Sequence, residues 1–283
     1  MDISVVMTAN NAEDTITETI DSVLKQSFFD FEFIIVNDGL TNNTRSMIDS
    51  YNDKRIRLID NGNDYIQSLN MGMMVSTGKY IARINAGDIM HIDRLKLQYS
   101  MMEEFHEIIV CSSWETVFGE KMPKKISNQK SSGLIVLPLV QLLLDNIIIS
   151  PTYTIRRSFI TKNHLFYENY PYAEDYKYWV EIAKFKGSFY IDSQPLVYKR
   201  ISDTEISKSS CEELQSISKI KKEILNFICT QYNEAYPALM TLYNSYYELL
   251  EQELISENDI FSLFYSIFTK NKETFKSLTN SQE

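Results

Sequence analysis

GKYIARINAGDIMHIDRL, residues 78–95, is the stretch that decides how this chain folds. Tyr80-Ile81-Ala82-Arg83-Ile84 reads as a strand, and Asp93-Arg94-Leu95 opens a helix. Between them the strand stops at Asn85-Ala86-Gly87-Asp88, a small and acidic turn. In α/β enzymes ligands sit beyond the carboxyl ends of the strands, so this corner is expected to face a phosphate or a metal ion. Upstream, short β-branched runs at 3–7, 31–36 and 56–59 alternate with amphipathic segments. Ile16, Ile20, Val23 and Leu24 repeat at helical spacing, and helices are expected over 44–51 and 66–75, the second closed by Gly78 as a C-cap. A helix over 93–105 and a strand over 108–111 complete an α/β half with a largely parallel sheet flanked by helices.

Downstream the texture changes. Residues 120–132 are rich in Lys, Ser and Asn and read as an exposed loop. Residues 134–149 predict a helix followed by a turn, and 151–156 a strand. Beyond Ser207 helices dominate, with Tyr243, Tyr246, Tyr247 and Leu250 on one stripe and Phe261, Phe264, Tyr265 and Phe268 on another. Three segments follow: 1–113, 114–207 and a helical extension over 208–283. Nothing repeats internally.

The chain has 283 residues, enough for one large domain and a smaller appendage. Its net charge of −10 argues against nucleic acid, whose phosphate backbone is held by clustered Lys and Arg. A single nucleotide, needing only a few local donors, is still admitted. Cys111, Cys211 and Cys229 lie far apart without C-x-x-C spacing, which fits a reducing compartment and neither zinc nor a disulfide framework. His91, His106 and His164 show no paired spacing either. The amino terminus lacks the basic and apolar regions of a signal peptide. Pro138, Gln141, Asp145 and Asn146 interrupt the most apolar run, so no membrane span is expected and the expected location is cytoplasmic.

Four places have residue types suited to chemistry. Met7-Thr8-Ala9-Asn10-Asn11 ends the first strand and, taken alone, is a helix-capping βα turn. Asn37-Asp38-Gly39 ends the second strand. A carboxylate there can accept the imide N–H of uracil, although Asp-Gly after a strand is also a common Asx-turn. The turn Asn85 to Asp88 retains one carboxylate, Asp88, and one amide oxygen, Asn85, of the hard-oxygen type that Mg²⁺ and Mn²⁺ prefer. Glu174-Asp175, followed by Trp179, places two acids where they either complement a helix dipole or serve as a base.

Taken in order and at their separations, these motifs resemble the family 2 glycosyltransferases, nucleotide-sugar-dependent enzymes with the GT-A fold. The similarity runs over about residues 2–208. It includes Asp93-Arg94-Leu95, Pro151 to Arg157, and Tyr198-Lys199-Arg200-Ile201-Ser202 followed by Ile206-Ser207. The resemblance implies an inverting transfer from a nucleotide-sugar, UDP-linked, to a glycan or lipid-linked acceptor in capsule, lipopolysaccharide or other surface-polysaccharide synthesis. It implies that 1–113 binds the donor and that 114–207 binds the acceptor. Thr8, Asn10, Asp38, Asn85 and Asp88 would line the donor site; Asp175 would be the base, with Glu174 its orienting neighbour or an acceptor ligand.

The family's usual turn reads Asp-Ala-Asp-Asp, its third residue holding Mn²⁺ or Mg²⁺. Here Asn85 and Gly87 replace two of those acids, leaving Asp88 as the expected ligand, with Arg83 a cation that can stand in for the ion. These losses, with Asn10 in place of a stacking Tyr, also admit a non-catalytic domain that binds nucleotide or glycan or scaffolds a partner. A nucleotidyltransferase is disfavoured, because no Gly-rich, Lys/Arg-bearing phosphate loop follows the first strand. The aromatic stripes after residue 207 read as core packing. Lys219, Lys221 and Lys222 allow a modest peripheral contact with the inner membrane face.

Overall fold

The computed structural model describes residues 1–10, 12–39, 41–62, 64–119, 124–127, 131–201 and 211–276. Asn11, Leu40, most of the 120–132 loop, Ser202 and the Ile206-Ser207 pair fall outside the described residues. The strands are β1 (Ile3–Ala9), β2 (Phe31–Asn37), β3 (Ile56–Asp60), β4 (Tyr80–Arg83), β5 (Ile89–Met90), β6 (Ile108–Phe118), β7 (Lys125–Ser127), β8 (Gly133–Leu134), β9 (Thr154–Arg156) and β10 (Ser188–Arg200). The helices are α1 (Ile16–Leu24), α2 (Asn42–Asp49), α3 (Tyr65–Met74), α4 (Arg94–Glu104), α5 (Pro138–Gln141), α6 (Arg157–Lys162), α7 (Glu174–Lys184), α8 (Cys211–Gln231), α9 (Pro237–Glu251) and α10 (Glu257–Lys270).

Two compact units interleave along the chain. One comprises residues 1–135, 148–169 and 188–208; the other comprises 136–147, 170–187 and 209–283. The division runs through the 114–207 segment. The first unit holds the whole sheet, in the order β3-β2-β1-β4-β9-β6-β10-β5 with β7 on β6 and β8 on β10. β3, β2, β1 and β4 are parallel, as the alternation of short strands with amphipathic segments predicts. The sheet is mixed beyond them, because β9 inserts antiparallel between β4 and β6. Strand order reverses at β1, where β2 and β3 lie to one side and β4 to the other. Such a switch point opens a crevice at the carboxyl edge.

β1 and most of β2 are fully buried and nearly continuous in Val, Ile, Phe and Met, the composition of strands covered on both faces. Glu32 interrupts β2, is 3% exposed and accepts from Ser4 Oγ (2.7 Å), Thr77 N (2.8 Å), Thr77 Oγ1 (2.7 Å) and Arg57 (2.5 Å). Burial alone would raise its pKa. Those donors outweigh burial and hold it at about 2, below the ordinary 4.5. An acid depressed in the folded state stabilises above its ordinary pKa and loses that contribution as pH falls. Unfolding midpoints in urea are therefore expected to drop between pH 4.5 and about 2. Glu32→Gln should start lower and flatten that drop; an unchanged acid profile would contradict the assignment.

Two expectations are corrected. Gly78 is not a C-cap: α3 ends at Met74 with Val75 in right-handed conformation, and a Cβ on Gly78 would lie 2.5 Å from the Ser4 backbone nitrogen. Its glycine identity comes from close approach to β1, where its amide also donates to Ser4 Oγ (2.8 Å). The long helix expected over 134–149 is only α5, opened by Leu137 at φ +55 and followed by turns.

In the second unit, the α10 stripe Phe261, Phe264 and Phe268 is buried, whereas Tyr243, Tyr246 and Tyr247 of α9 are half-buried. Among the described residues no helix is long and apolar enough to cross a membrane.

Candidate functional site

In the first unit, Thr8 pairs with Val36 and Ala9 with Asn37 in parallel register, and Val6 pairs with Arg83. That register brings Thr8, Asn10, Asp38 and Asn85 to one edge of the sheet. Thr8 is buried, Asn10 exposed and Asn85 half-buried. Asn37 turns aside: its amide donates to Asp60 (2.7 Å), while its carbonyl oxygen accepts from Gly39 N (3.0 Å), closing an Asx-turn.

Asp38 is 7% exposed, and its backbone N–H donates to Ala9 O (2.9 Å). One carboxylate oxygen accepts from Ser68 Oγ (3.1 Å), and Ser68 in turn accepts from Asn61 Nδ2 (3.3 Å). Burial raises the Asp38 pKa, Ser68 pulls it down, and the charge of Asp64 pushes it up again. Sequence reading missed Ser68 and Asn61. The signal available was Ser68 itself, a hydroxyl on the same buried α3 face as Leu69, Gly72 and Met73.

The Asn85–Asp88 turn is closed by Asp88 N donating to Asn85 O (3.2 Å) and packs on α1. Gly87 has φ +106, and its N–H donates to Thr19 Oγ1 (2.9 Å). Its carbonyl accepts from Arg200 Nε (3.1 Å). Asp88 is 3% exposed, with one oxygen accepting the Arg200 amide (2.9 Å) and the other buried without a hydrogen-bond partner among the described residues. Burial pushes its carboxyl up to about 7, against the Arg200 N–H and the Lys199 charge; Glu115, itself buried and raised, adds to the push.

Divalent ions are common in GT-A glycosyltransferases, yet these residues do not fit one. A hard ion shared with a substrate phosphate needs an ionised, accessible carboxylate. Gly87 offers a neutral carbonyl already bound to a cation, and the one acid left is enclosed. Among the described residues no three His, Cys, Asp or Glu side chains cluster to hold a metal. Arg83 cannot substitute either. It is 2% exposed and donates to Ser150 (2.8 Å) and Tyr65.

In the second unit, Glu174 and Asp175 are the first two residues of α7, both half-buried, at a helix start without a side-chain cap. Their charges complement the positive end of the helix dipole. Trp179 is fully buried one turn later and anchors the helix. Lys177 donates to Glu181 (2.6 Å) and Glu223 (2.7 Å), and Glu223 also accepts from Tyr170 (2.6 Å). Burial disfavours the Lys177 charge, but the two carboxylates outweigh it and raise its pKa. The base of α7 is thereby tied to α8.

The family model for Glycosyl transferase family 2 matches residues 4–166. An uncharacterized glycosyltransferase of Haemophilus influenzae is 32% identical over 238 residues, covering 80% of this chain and 73% of its own. The UDP-Glc:alpha-D-GlcNAc-diphosphoundecaprenol beta-1,3-glucosyltransferase WfgD of Escherichia coli is 26% identical, covering 75% of this chain and 82% of its own. Among solved structures, S. aureus TarS 1–349 in complex with UDP-GlcNAc superposes with a TM-score of 0.65 at 18% identity, over 81% of this chain and 67% of that one. The chain belongs to glycosyl transferase family 2 and is a glycosyltransferase with the GT-A fold.

Proposed function

We propose that this enzyme transfers a sugar from a UDP-sugar to a glycan or lipid-linked acceptor of surface-polysaccharide synthesis, with inversion at the anomeric carbon. The observation that carries the reading is the Asp38 carboxylate, buried at the edge of β2 and oriented by Ser68. Its second oxygen accepts the uracil imide N–H, which cytosine lacks. Thr8 and Asn10 flank the base, and Asn85 lies on the diphosphate side. Asp175 removes the acceptor hydroxyl proton as that oxygen bonds to the anomeric carbon. The bond from that carbon to the diphosphate breaks, and UDP leaves with the bonding pair. Glu174 orients the acceptor.

The UDP-GlcNAc in the TarS structure supports a uridine donor, and WfgD's diphosphoundecaprenol-linked substrate supports a lipid-linked acceptor. An acceptor of that kind places the chain peripherally at the cytoplasmic membrane face. The altered turn at Asn85 and Gly87 favours a second reading, a domain that binds nucleotide without transferring sugar.

Thermal-shift titration with UDP, GDP, CDP and ADP tests the donor. A ligand at about 100 times its Kd adds about 2.7 kcal/mol of stability, a clear shift in Tm. UDP is expected to stabilise most. Asp38→Asn, which turns an acceptor into a donor toward the imide, should weaken UDP by about 1–3 kcal/mol. Equal responses to all four nucleotides would remove the uridine reading.

A further inference from the structure

We infer that the guanidinium of Arg200, in place of a divalent ion, meets the donor diphosphate at the Asn85–Asp88 turn. The inference rests on the nucleotide-sugar reading above. Arg200 ends β10 and is fixed by two bonds to the turn and one ring contact with the end of β6. Its amide donates to Asp88 (2.9 Å), its Nε donates to Gly87 O (3.1 Å), and its guanidinium lies 4.7 Å from the centre of the Phe118 ring. A carboxylate at position 87 would hold an ion in the usual turn. Here that position presents a carbonyl oxygen bonded to Arg200. A dication at the same place would be repelled by the guanidinium.

Lys199 is half-buried beside Asp88 and Glu115, whose carboxylates its charge faces, and the two neighbouring arginines are committed inward. Arg83 is spent on Ser150 and Tyr65. Arg94 is fully buried and donates to the Arg83 and Tyr153 carbonyls. The Arg200 side chain is 30% exposed, so it alone of the three arginines reaches solvent. Its terminal nitrogen pairs with Glu18 in the first turn of α1. Glu18 is 56% exposed, and ion pairs at such exposure are weak and screened by salt. A diphosphate has more charge and a forked set of oxygens that matches the planar guanidinium. Glu18 therefore holds Arg200 in place until the donor arrives, and the diphosphate then displaces it. As the anomeric bond breaks, charge grows on the leaving UDP, and Arg200 donates to those oxygens.

Calorimetric titration of the full chain with UDP and with uridine, in EDTA and in Mn²⁺, tests this. Wild type should bind UDP equally in both buffers. Arg200→Ala should weaken UDP by about tenfold or more and leave uridine nearly unchanged, because only the phosphates lose a partner. Arg200→Lys, which keeps the charge but not the fork, should fall between them. Glu18→Gln, lacking the competitor, should bind UDP about two- to fivefold tighter. UDP binding that disappears in EDTA and returns with Mn²⁺ overturns the inference and leaves the donor reading intact. Equal weakening of uridine and UDP by Arg200→Ala, or of all variants alike, also overturns it. Absence of binding by both UDP and uridine defeats the donor reading and this inference together.

Discussion

Asp175→Asn is expected to slow glycosyl transfer by about 10²–10⁴-fold while leaving UDP affinity unchanged. That range is what a positioned general base contributes. The amide keeps the shape of the carboxylate but cannot take the acceptor proton. A loss of fold does not explain the effect, since removing one first-turn charge from α7 costs only about 0.3–1 kcal/mol. The rest of α7 is held by buried Trp179 and the Lys177–Glu223 pair. Glu174→Gln should cost less, because an orienting neighbour still donates and accepts. The decisive measurement is turnover with a saturating UDP-sugar, set beside UDP binding by the same variant. Transfer within a few-fold of wild type would assign the base elsewhere, and no transfer by either protein would favour the nucleotide-binding domain without chemistry.

Gly78→Ala is expected to lower stability by about 3 kcal/mol or more, a large share of the 5–15 kcal/mol that holds most domains together. The new Cβ would lie 2.5 Å from Ser4 N, 2.6 Å from the Ile3 carbonyl carbon and 2.9 Å from Ser4 Oγ. β1 is paired on both sides and cannot move away without disturbing β2 and β4. The same shift would strain the Ser4 and Thr77 bonds to Glu32. Gly72→Ala provides the comparison. Its Cβ also meets an atom at 2.5 Å, but that atom is Val6 Cγ1, a side-chain methyl. Urea midpoints should rank wild type above Gly72→Ala, and Gly72→Ala above Gly78→Ala. The reverse ranking would mean that β1 gives way more readily than its packing implies.

The parallel half was legible because its central strands β1 and β2 are apolar on both faces. β1 and β2 stand out as β-branched runs and β4 as an alternating strand between turn residues, and register then delivers Asp38 and Asn85 to one edge. The apolar run predicts β6 only to Cys111, yet the strand continues to Phe118. Ser112, Ser113, Glu115 and Thr116 are polar and still buried, so hydropathy hid them; Ser112 shares a 2.6 Å hydrogen bond with Thr152. The length of β10 was hidden likewise by Asp192, Gln194 and Pro195, where its register against β6 shifts. Asp93 stands at the N-cap of α4 as its place in sequence suggested, but its carboxylate serves Ser27 (2.7 Å). Ser68 and Arg200 act through contacts 30 and 113 residues away in the chain. The buried face of α3 and the Tyr198–Ser202 motif mark these residues in sequence, but neither pattern names the distant partner.

Placing an aspartate at Gly87, as in the family's usual turn, looks like the simplest way to rebuild a metal ligand. The backbone there says otherwise. At φ +106 an L-residue is strained by about 1–3 kcal/mol, and its Cβ would sit 3.4 Å from Thr15 Oγ1. An aspartate at this position bears that strain or relieves it by a peptide flip, which undoes the bonds to Thr19 and Arg200 at once. With glycine at this position the backbone settles against α1 and β10, so an acid here is accommodated only together with changes in its neighbours.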